Sequence, residues 1–217
     1  MIEGRLPADV NSLASILSTA TAAPMPRASE DTRPEILQAA YKLFRRRGFF
    51  RVGMDEIAEA AGVTKRTLYN HFDSKDALLT AVLASQHERT FADFQNYGID
   101  LSGSAAELID KLFEGLVKWS SKPRWAGSGF TRLAIELADL SGHPARAIAR
   151  QHKALMERHL ETLLGQAKVP APKTRARELA LLIEGAMVMI LIHGDPSYCT
   201  AAAEAAKRLV SLDSSPP

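Results

Sequence analysis

Residues 62 to 72 of the chain carry a dense set of chemically versatile side chains, in the order GVTKRTLYNHF. Between Gly62 and the apolar residues Leu68 and Phe72 stand two threonines, two cations, a tyrosine, an asparagine and a histidine. These groups could form a solvated surface, a catalytic cluster, or a set of hydrogen-bonding groups directed at another molecule. A helix that lies in the major groove of DNA needs an apolar inner face and a polar outer face. Because Leu68 and Phe72 lie one helical turn apart, they would form the inner face, and the pattern favours recognition of DNA.

The side-chain types indicate how such a helix would divide its contacts. Arginine matches guanine O6 and N7, asparagine matches adenine, and threonine suits either a base or the thymine methyl group. Arg66, Thr67 and Asn70 are therefore candidates for base contacts. Phosphate contacts are expected near the helix ends, from Thr64, Tyr69 and Lys75.

The segments around this stretch predict a helix-turn-helix. Gly53 permits a turn into a short helix that starts at Met54, and Gly62 ends that helix. Val63 would plug inward, and Thr64 is a good N-cap for the next helix. Two short helices joined by a turn that contains glycine make this motif.

Helices are also predicted on both sides of the motif. The pattern Thr-x-x-Glu at Thr32 predicts a capping box that starts a first helix, which runs to about Arg47. Three arginines before Gly48 suit the negative end of that helix, so they are not interpreted as a nucleic-acid patch. Ser74 would cap a long helix from Lys75 to about Asn96.

The remainder of the chain has apolar residues at helical spacing, interrupted by segments that contain proline or glycine. No alternating strand pattern competes with this periodicity, so the predicted fold class is all-α. The helices are expected at residues 105–119, 130–140, 145–167, 174–193 and 197–212.

Composition limits the functional classes. The chain has 217 residues, 46% of them hydrophobic, and a formal net charge of +2, so any basic function has to be local. The single cysteine suggests a reducing, cytoplasmic setting. The longest apolar run, residues 179–192, contains Glu184 and is shorter than the ~20 residues that a membrane helix needs.

Residues 33 to 80 resemble the DNA-binding domain of the TetR family of transcriptional regulators. Residues 33 to 80 make up about a quarter of the chain, and within them the string from Ile57 to Leu79 matches that family in residue type and spacing together. The residues that carry the resemblance are Ile36, Ala39, Ala40, Phe44, Gly48, Phe49, Ile57, Ala58, Ala61, Gly62, Val63, Thr64, Thr67, Leu68, Tyr69, His71, Phe72, Ser74, Lys75, Asp76, Leu78 and Leu79.

The resemblance implies a fold of about nine helices, with a three-helix DNA-binding domain and a larger helical domain for effector binding and dimerisation. It divides the chain into a DNA-binding domain (29–90, with the helix-turn-helix at about 53–72) and the helical domain (91–217). Residues 1–28, which are rich in Ala, Ser and Thr, are expected to form a mobile tail. The resemblance further implies a homodimeric repressor that binds a palindromic operator and is released by a small-molecule effector of unknown identity.

Carried over by position, the resemblance assigns roles to eight residues. Base-facing positions are Lys65, Arg66, Thr67 and Asn70, and backbone contacts are Thr64, Tyr69, His71 and Lys75. One departure concerns the residue before the second helix, where many relatives have Thr or Ser and this chain has Val52 and Gly53. Gly53 can still cap the second helix, but neither residue supplies a hydroxyl group for the phosphate contact that the family pattern implies there.

The C-terminal segments predict a dimer interface. The helix at 174–193 is apolar nearly all round and has to be buried on both sides, while residues 200–210 are rich in alanine, which allows close helix approach. Two such helices from each subunit would form a four-helix interface.

A helical enzyme or metal-binding protein is the alternative. His152 and His159 lie seven residues apart on one helical face and could hold a metal together with His143 or His193. No His-x-x-x-His pair or thiolate cluster supports such a site, so surface or pocket-lining histidines are expected. Paired Glu-x-x-His motifs, which would signal a di-iron centre, are absent from the sequence. No catalytic, cofactor or metal residue is predicted. The aromatic and methionine residues of the C-terminal region could surround an effector but fit a plain core equally, namely Phe113, Trp119, Trp125, Phe130, Met156 and Met187.

Overall fold

The computed structural model describes residues 32–96 and 104–211, so the tail predicted at 1–28 lies outside the described residues. Those residues are all-α, as predicted, and within them no helix is long and apolar enough to cross a membrane. The described part of the chain forms nine helices, α1 (Arg33–Arg47), α2 (Met54–Ala61), α3 (Lys65–His71), α4 (Lys75–Asn96), α5 (Ala105–Ser120), α6 (Gly129–Glu136), α7 (Pro144–Gln166), α8 (Pro172–His193) and α9 (Ser197–Ser211).

The N-terminal domain, by which we mean α1 to α3 and the first half of α4, is built around apolar residues at helical spacing. Ile36, Ile57, Leu68 and Leu78, one from each helix, are all completely buried in one core. This core continues into α6 and the start of α7, which contribute Phe130, Leu133, Leu137, Ala145 and Ala149. The N-terminal domain is therefore packed directly on α6.

The capping box predicted at Thr32 does not form. The Thr32 backbone is already helical, with φ −90° and ψ −16°, and its side chain makes no capping hydrogen bond. An N-cap residue needs an extended backbone to aim its oxygen at the first turn. Instead Thr32 is buried, and its Oγ1 lies 2.9 Å from His71 Nε2.

The C-terminal domain consists of α5 to α9 and has a second core. Its centre holds the buried side chains of Ile109, Leu164, Leu179 and Ala206, which come from four different helices. Ser104 and Glu107 form a complete capping box at the start of α5. The sequence did not single out this cap, although it has the same Ser-x-x-Glu pattern.

Helix α6 is shorter than the predicted segment 130–140. It ends at Glu136, after which Ala138 and Leu140 donate to the carbonyl groups three residues before them, at 3.1 and 3.0 Å. These tight turns lead through Ser141 and Gly142 into the proline that starts α7. Helix α7 therefore begins eight residues after the end of α6.

Candidate nucleic-acid interface

Helix α3 has the two faces that its sequence predicts. Leu68 is completely buried and Phe72, directly after the helix, is 4% exposed. The opposite side presents exposed side chains from Lys65, Arg66, Tyr69 and Asn70. The buried anchors hold α3 on the N-terminal domain and leave its polar side outside.

The turn between α2 and α3 sets the direction of α3. Gly62 has φ +67° and ψ 29°, a left-handed conformation that costs a glycine little. The N–H of Val63 donates to the Ala58 carbonyl at 3.0 Å, which closes the turn as a Schellman motif. Val63 is half-buried against the core, as the plug prediction requires.

Thr64 caps α3, as predicted. Its Oγ1 accepts from the Thr67 backbone N–H at 3.0 Å and lies 2.8 Å from Thr67 Oγ1. A hydroxyl group has one donor and two acceptor positions. Thr64 is exposed and Thr67 is half-buried. The two hydroxyl groups are hydrogen-bonded to each other at the start of the helix.

Lys65 does not project freely, because it pairs with a carboxylate of α2. Its Nζ lies 2.8 Å from Asp55 Oδ1, and both side chains are more than half exposed. The hydrogen bond that Lys65 donates to the Asp55 carboxylate raises the pKa of Lys65. Because an exposed pair of this kind contributes little to stability, its main effect is to turn Lys65 towards the N-terminus of α2.

Arg66 and Asn70 lie one helical turn apart on the exposed side of α3. Neither side chain makes a hydrogen bond or ion pair with another residue in the part of the chain that the structure describes. Tyr69, between them in sequence, is 43% exposed. The donor and acceptor groups of Arg66 and Asn70 are thus available to a ligand that lies along α3.

His71 and Lys75 have internal partners. His71 is half-buried and bonded to Thr32, which ties the end of α3 to the start of α1. Lys75 Nζ lies 4.4 Å from the centre of the Phe49 ring and donates to the Phe50 carbonyl at 3.4 Å. Burial lowers the pKa of Lys75, although the carboxylates of Asp76 and Glu136 oppose that shift.

The sequence prediction did not identify a group of contacts between α6 and the N-terminal domain. Glu136 Oε1 accepts from the Phe50 backbone N–H at 2.8 Å, and Arg132 donates to the Arg45 carbonyl at 2.7 Å. Arg45 in turn donates to the Gly127 carbonyl at 3.1 Å. These partners lie more than 80 residues apart in the chain, so no local sequence pattern could have paired them.

No group of three potential metal ligands occurs among the described residues. His152, expected at the surface or lining a pocket, is 5% exposed and stacks on Phe130 with ring centres 3.7 Å apart. Its Nδ1 lies 3.0 Å from Nδ1 of His87 on α4. Helix α4 thus supplies the partner of His152, and the pairing joins α4 to α7.

Comparison with known proteins decides the family. Residues 36–82 match a family model described as bacterial regulatory proteins of the TetR family. A protein from Streptomyces avermitilis whose crystal structure is described as a TetR-type transcriptional regulator is 30% identical, with a TM-score of 0.69. The match covers 81% of this chain and 98% of that one. The chain belongs to the TetR family of transcriptional regulators.

A second solved structure, a TetR-family transcriptional regulator from Streptomyces coelicolor, is 25% identical to this TetR-family chain and covers 83% of it, with a TM-score of 0.74. The curated regulator TtgR of Pseudomonas putida is 36% identical over 93 residues. The regulator UidR of Escherichia coli is 37% identical over 67 residues. These two matches span 44% and 34% of the relatives, so the chain aligns with less than half of each.

Membership confirms the resemblance inferred from the motifs and the fold that it implied. The TetR family consists of regulators that bind DNA through the N-terminal helix-turn-helix, and they are not enzymes. The catalytic alternative is therefore excluded.

Proposed function

We propose that the protein is a transcriptional repressor that acts in the cytoplasm, binds a palindromic operator as a homodimer and is released by a small molecule. The observation that carries the DNA-binding part is the two-faced arrangement of α3, with Leu68 completely buried and Arg66 and Asn70 exposed one turn apart. An arginine and an asparagine placed in this way can each make a bidentate contact with a base edge in the major groove.

The other residues of α3 have supporting roles in this proposal. Lys65 and Thr67 border the base-facing side, and Lys65 exchanges Asp55 for a phosphate or a base when DNA approaches. Thr64 and Tyr69 contact the DNA backbone on either side of the groove. His71 is hydrogen-bonded to Thr32 at the start of α1. Its position relative to a DNA phosphate therefore depends on the orientation of α1.

Support for the homodimer comes from the surface of α8. Four large apolar residues of this helix remain exposed in the single chain, Leu181 (69%), Val188 (39%), Leu191 (44%) and Ile192 (65%). Leu181, Gly185, Val188 and Ile192 follow one another at helical spacing, and the glycine allows a second helix to approach closely. A contiguous apolar strip of this kind is characteristic of a protein–protein interface.

A two-fold dimer presents two copies of α3, so its operator is expected to be a palindrome. Helix-turn-helix dimers contact half-sites that lie about one turn of DNA, roughly 34 to 36 Å, or a multiple of it apart. Repression follows where this operator overlaps a promoter. An effector that binds better to a dimer with a different separation of the two α3 helices would release the DNA.

A half-buried polar cluster in the C-terminal domain supports the effector part. Lys153 of α7 forms an ion pair with Glu184 of α8, and Thr131 of α6 donates to the same carboxylate at 2.7 Å. Nearby in the chain, the indole N–H of Trp125 is buried and donates to no described group. These half-buried charged and donor groups could orient a polar effector. Because Thr131 belongs to α6, an effector bound to them would also contact α6.

Arg66→Ala and Asn70→Ala are each expected to weaken operator binding by roughly 1 to 3 kcal/mol and to relax specificity at particular base pairs. The loss arises because a bidentate contact to one base edge disappears. Binding measured against operators substituted at each position checks this result. Arg150→Ala, which removes the same charge from an exposed position of α7, is the matched control and should leave the sequence preference unchanged.

Lys75→Ala is expected to weaken binding to all DNA sequences alike, and to reduce the slope of log K against log salt by about 1. A lysine that contacts only phosphate carries no base information, so its loss acts on every duplex equally. The measurement is a salt titration with operator and random DNA. A loss confined to the operator would show that Lys75 affects binding through its observed bond to the Phe50 carbonyl and not through a phosphate.

Selection from random duplexes with the purified protein tests the proposed function as a whole. A palindromic sequence should be enriched, and repetition with candidate small molecules should reveal compounds that abolish the enrichment. If no palindrome is enriched under any condition, the repressor proposal is wrong.

A further inference from the structure

We propose that Glu136 is a positioning residue that determines which spacing between operator half-sites the dimer accepts. The inference rests on the proposed function, because it assumes two α3 helices that contact two half-sites. Glu136 lies at the end of α6, far from α3 in sequence, and acts through the turn between α1 and α2.

The first observation is the attachment of this turn to Glu136. The carboxylate accepts from the Phe50 backbone N–H at 2.8 Å. Gly48, which opens the turn with φ +85°, lies so close that an added Cβ would come within 3.1 and 3.3 Å of the two carboxylate oxygens. Lys75 donates to the Phe50 carbonyl at 3.4 Å, so both polar groups of the Phe50 backbone are engaged. The turn is therefore held by α6 on one side and by α4 on the other.

A second attachment lies one helical turn earlier on α6. The Arg132 guanidinium donates to the Arg45 carbonyl at 2.7 Å, near the C-terminus of α1. Arg45 donates to the Gly127 carbonyl just before α6 at 3.1 Å and to the Tyr41 hydroxyl at 3.2 Å. The carbonyl end of α1 is thus bonded to α6 and to the loop that precedes it. Two attachments at separate points restrict rotation as well as translation.

Helix α6 is itself fastened to the helices of the C-terminal domain. Thr131 donates to Glu184 of α8 at 2.7 Å, and Glu184 pairs with Lys153 of α7. Glu184 lies on the same helix as the exposed apolar strip of the proposed dimer interface, one turn before Val188. A continuous set of contacts therefore runs from α8 through α6 to the turn at Phe50, which leads directly into α2 and α3.

This path relates Glu136 to half-site spacing. Adding one base pair moves the half-sites apart by about 3.4 Å and rotates one relative to the other by roughly a tenth of a turn. A dimer rejects that operator only if its N-terminal domains cannot swivel to follow the half-sites. Because Glu136 and Arg132 restrain that swivel, loss of the Glu136 carboxylate should widen the range of spacings that bind.

The test uses the palindrome enriched by the wild-type protein, rebuilt with one or two base pairs added to or removed from its centre. Binding of the full-length wild type is expected to fall at least tenfold for a change of one base pair. Glu136→Ala should reduce the ratio between binding of the original operator and binding of the respaced operator at least threefold. Glu136→Gln keeps an oxygen that accepts from Phe50 and should restore most of it.

Two further variants keep the test decisive. Asp139→Ala removes an exposed acid just after α6 and should retain the wild-type spacing profile. Arg132→Ala cuts the second attachment and should widen the profile even if Glu136→Ala fails to fold. A merely structural role for Glu136 would lower the melting temperature and weaken all operators equally, and that result would overturn the inference. If the wild type enriches no palindrome, the proposed function fails and the inference with it, whereas unchanged spacing profiles in folded Glu136→Ala and Arg132→Ala would refute the inference alone.

Discussion

Leu181→Glu is expected to convert the proposed homodimer into monomers and to weaken operator binding on the order of 100-fold or more. Linking two binding sites raises overall affinity by about 10² to 10⁴, and this gain is lost when the subunits separate. A carboxylate at Leu181, the first residue of the apolar strip of α8, would face its own symmetry copy or other apolar residues and lose its hydration. Light scattering measures the mass, and titration with full and half operators measures the affinity.

The fold itself should tolerate this substitution. Leu181 is 69% exposed in the single chain, so the monomer loses little packing when the side chain changes. Leu140→Glu is the matched control, because Leu140 is also exposed but lies in the turn between α6 and α7. A Leu181→Glu protein that remains dimeric and binds the operator as tightly as the Leu140→Glu protein would show that subunits meet on another surface.

The second large effect is expected from pH and arises at His152. Burial, the neighbouring Lys153 and His87 lower the pKa of His152 from 6.5 to about 4. The unfolded chain takes up the proton first as the pH falls, so stability is fully present above about pH 6.5 and is lost progressively down to about pH 4. Because one pKa unit corresponds to about 1.36 kcal/mol, this single residue should cost roughly 3 kcal/mol over that interval.

Chemical unfolding of wild type and His152→Gln at a series of pH values would measure this contribution. The variant cannot titrate at this position, so its free energy of unfolding should fall less between pH 7 and pH 4, by roughly the same 3 kcal/mol. Subtracting the two curves removes the common contribution of the carboxylates. The groups that act on His152 are His87 on α4 and Lys153 beside it on α7, the latter paired with Glu184 of α8. If the free energies of unfolding of the two proteins change in parallel with pH, His152 is protonated as readily in the folded protein as in the unfolded chain.

Local patterns in the sequence were enough to predict the helix-turn-helix. Gly62 takes the left-handed conformation that its position after α2 suggests, Thr64 caps α3, and Leu68 and Phe72 are buried. Each of these features depends on residues within one or two helical turns. Helix α6 was predicted four residues too long because the tight turns after Glu136 have no strong stop signal before Gly142.

The sequence by itself therefore determined the all-α class, the motif and the family, because helical periodicity, caps and turns are set by neighbouring residues. Only the tertiary structure decided which partner each polar side chain has. Thr32 bonds to His71 across 39 residues, His87 to His152 across 65, and Phe50 to Glu136 across 86. Such pairs form where helices that are distant in the sequence place a donor next to an acceptor. The packing of the apolar helix faces, rather than any local sequence pattern, determines which groups become neighbours.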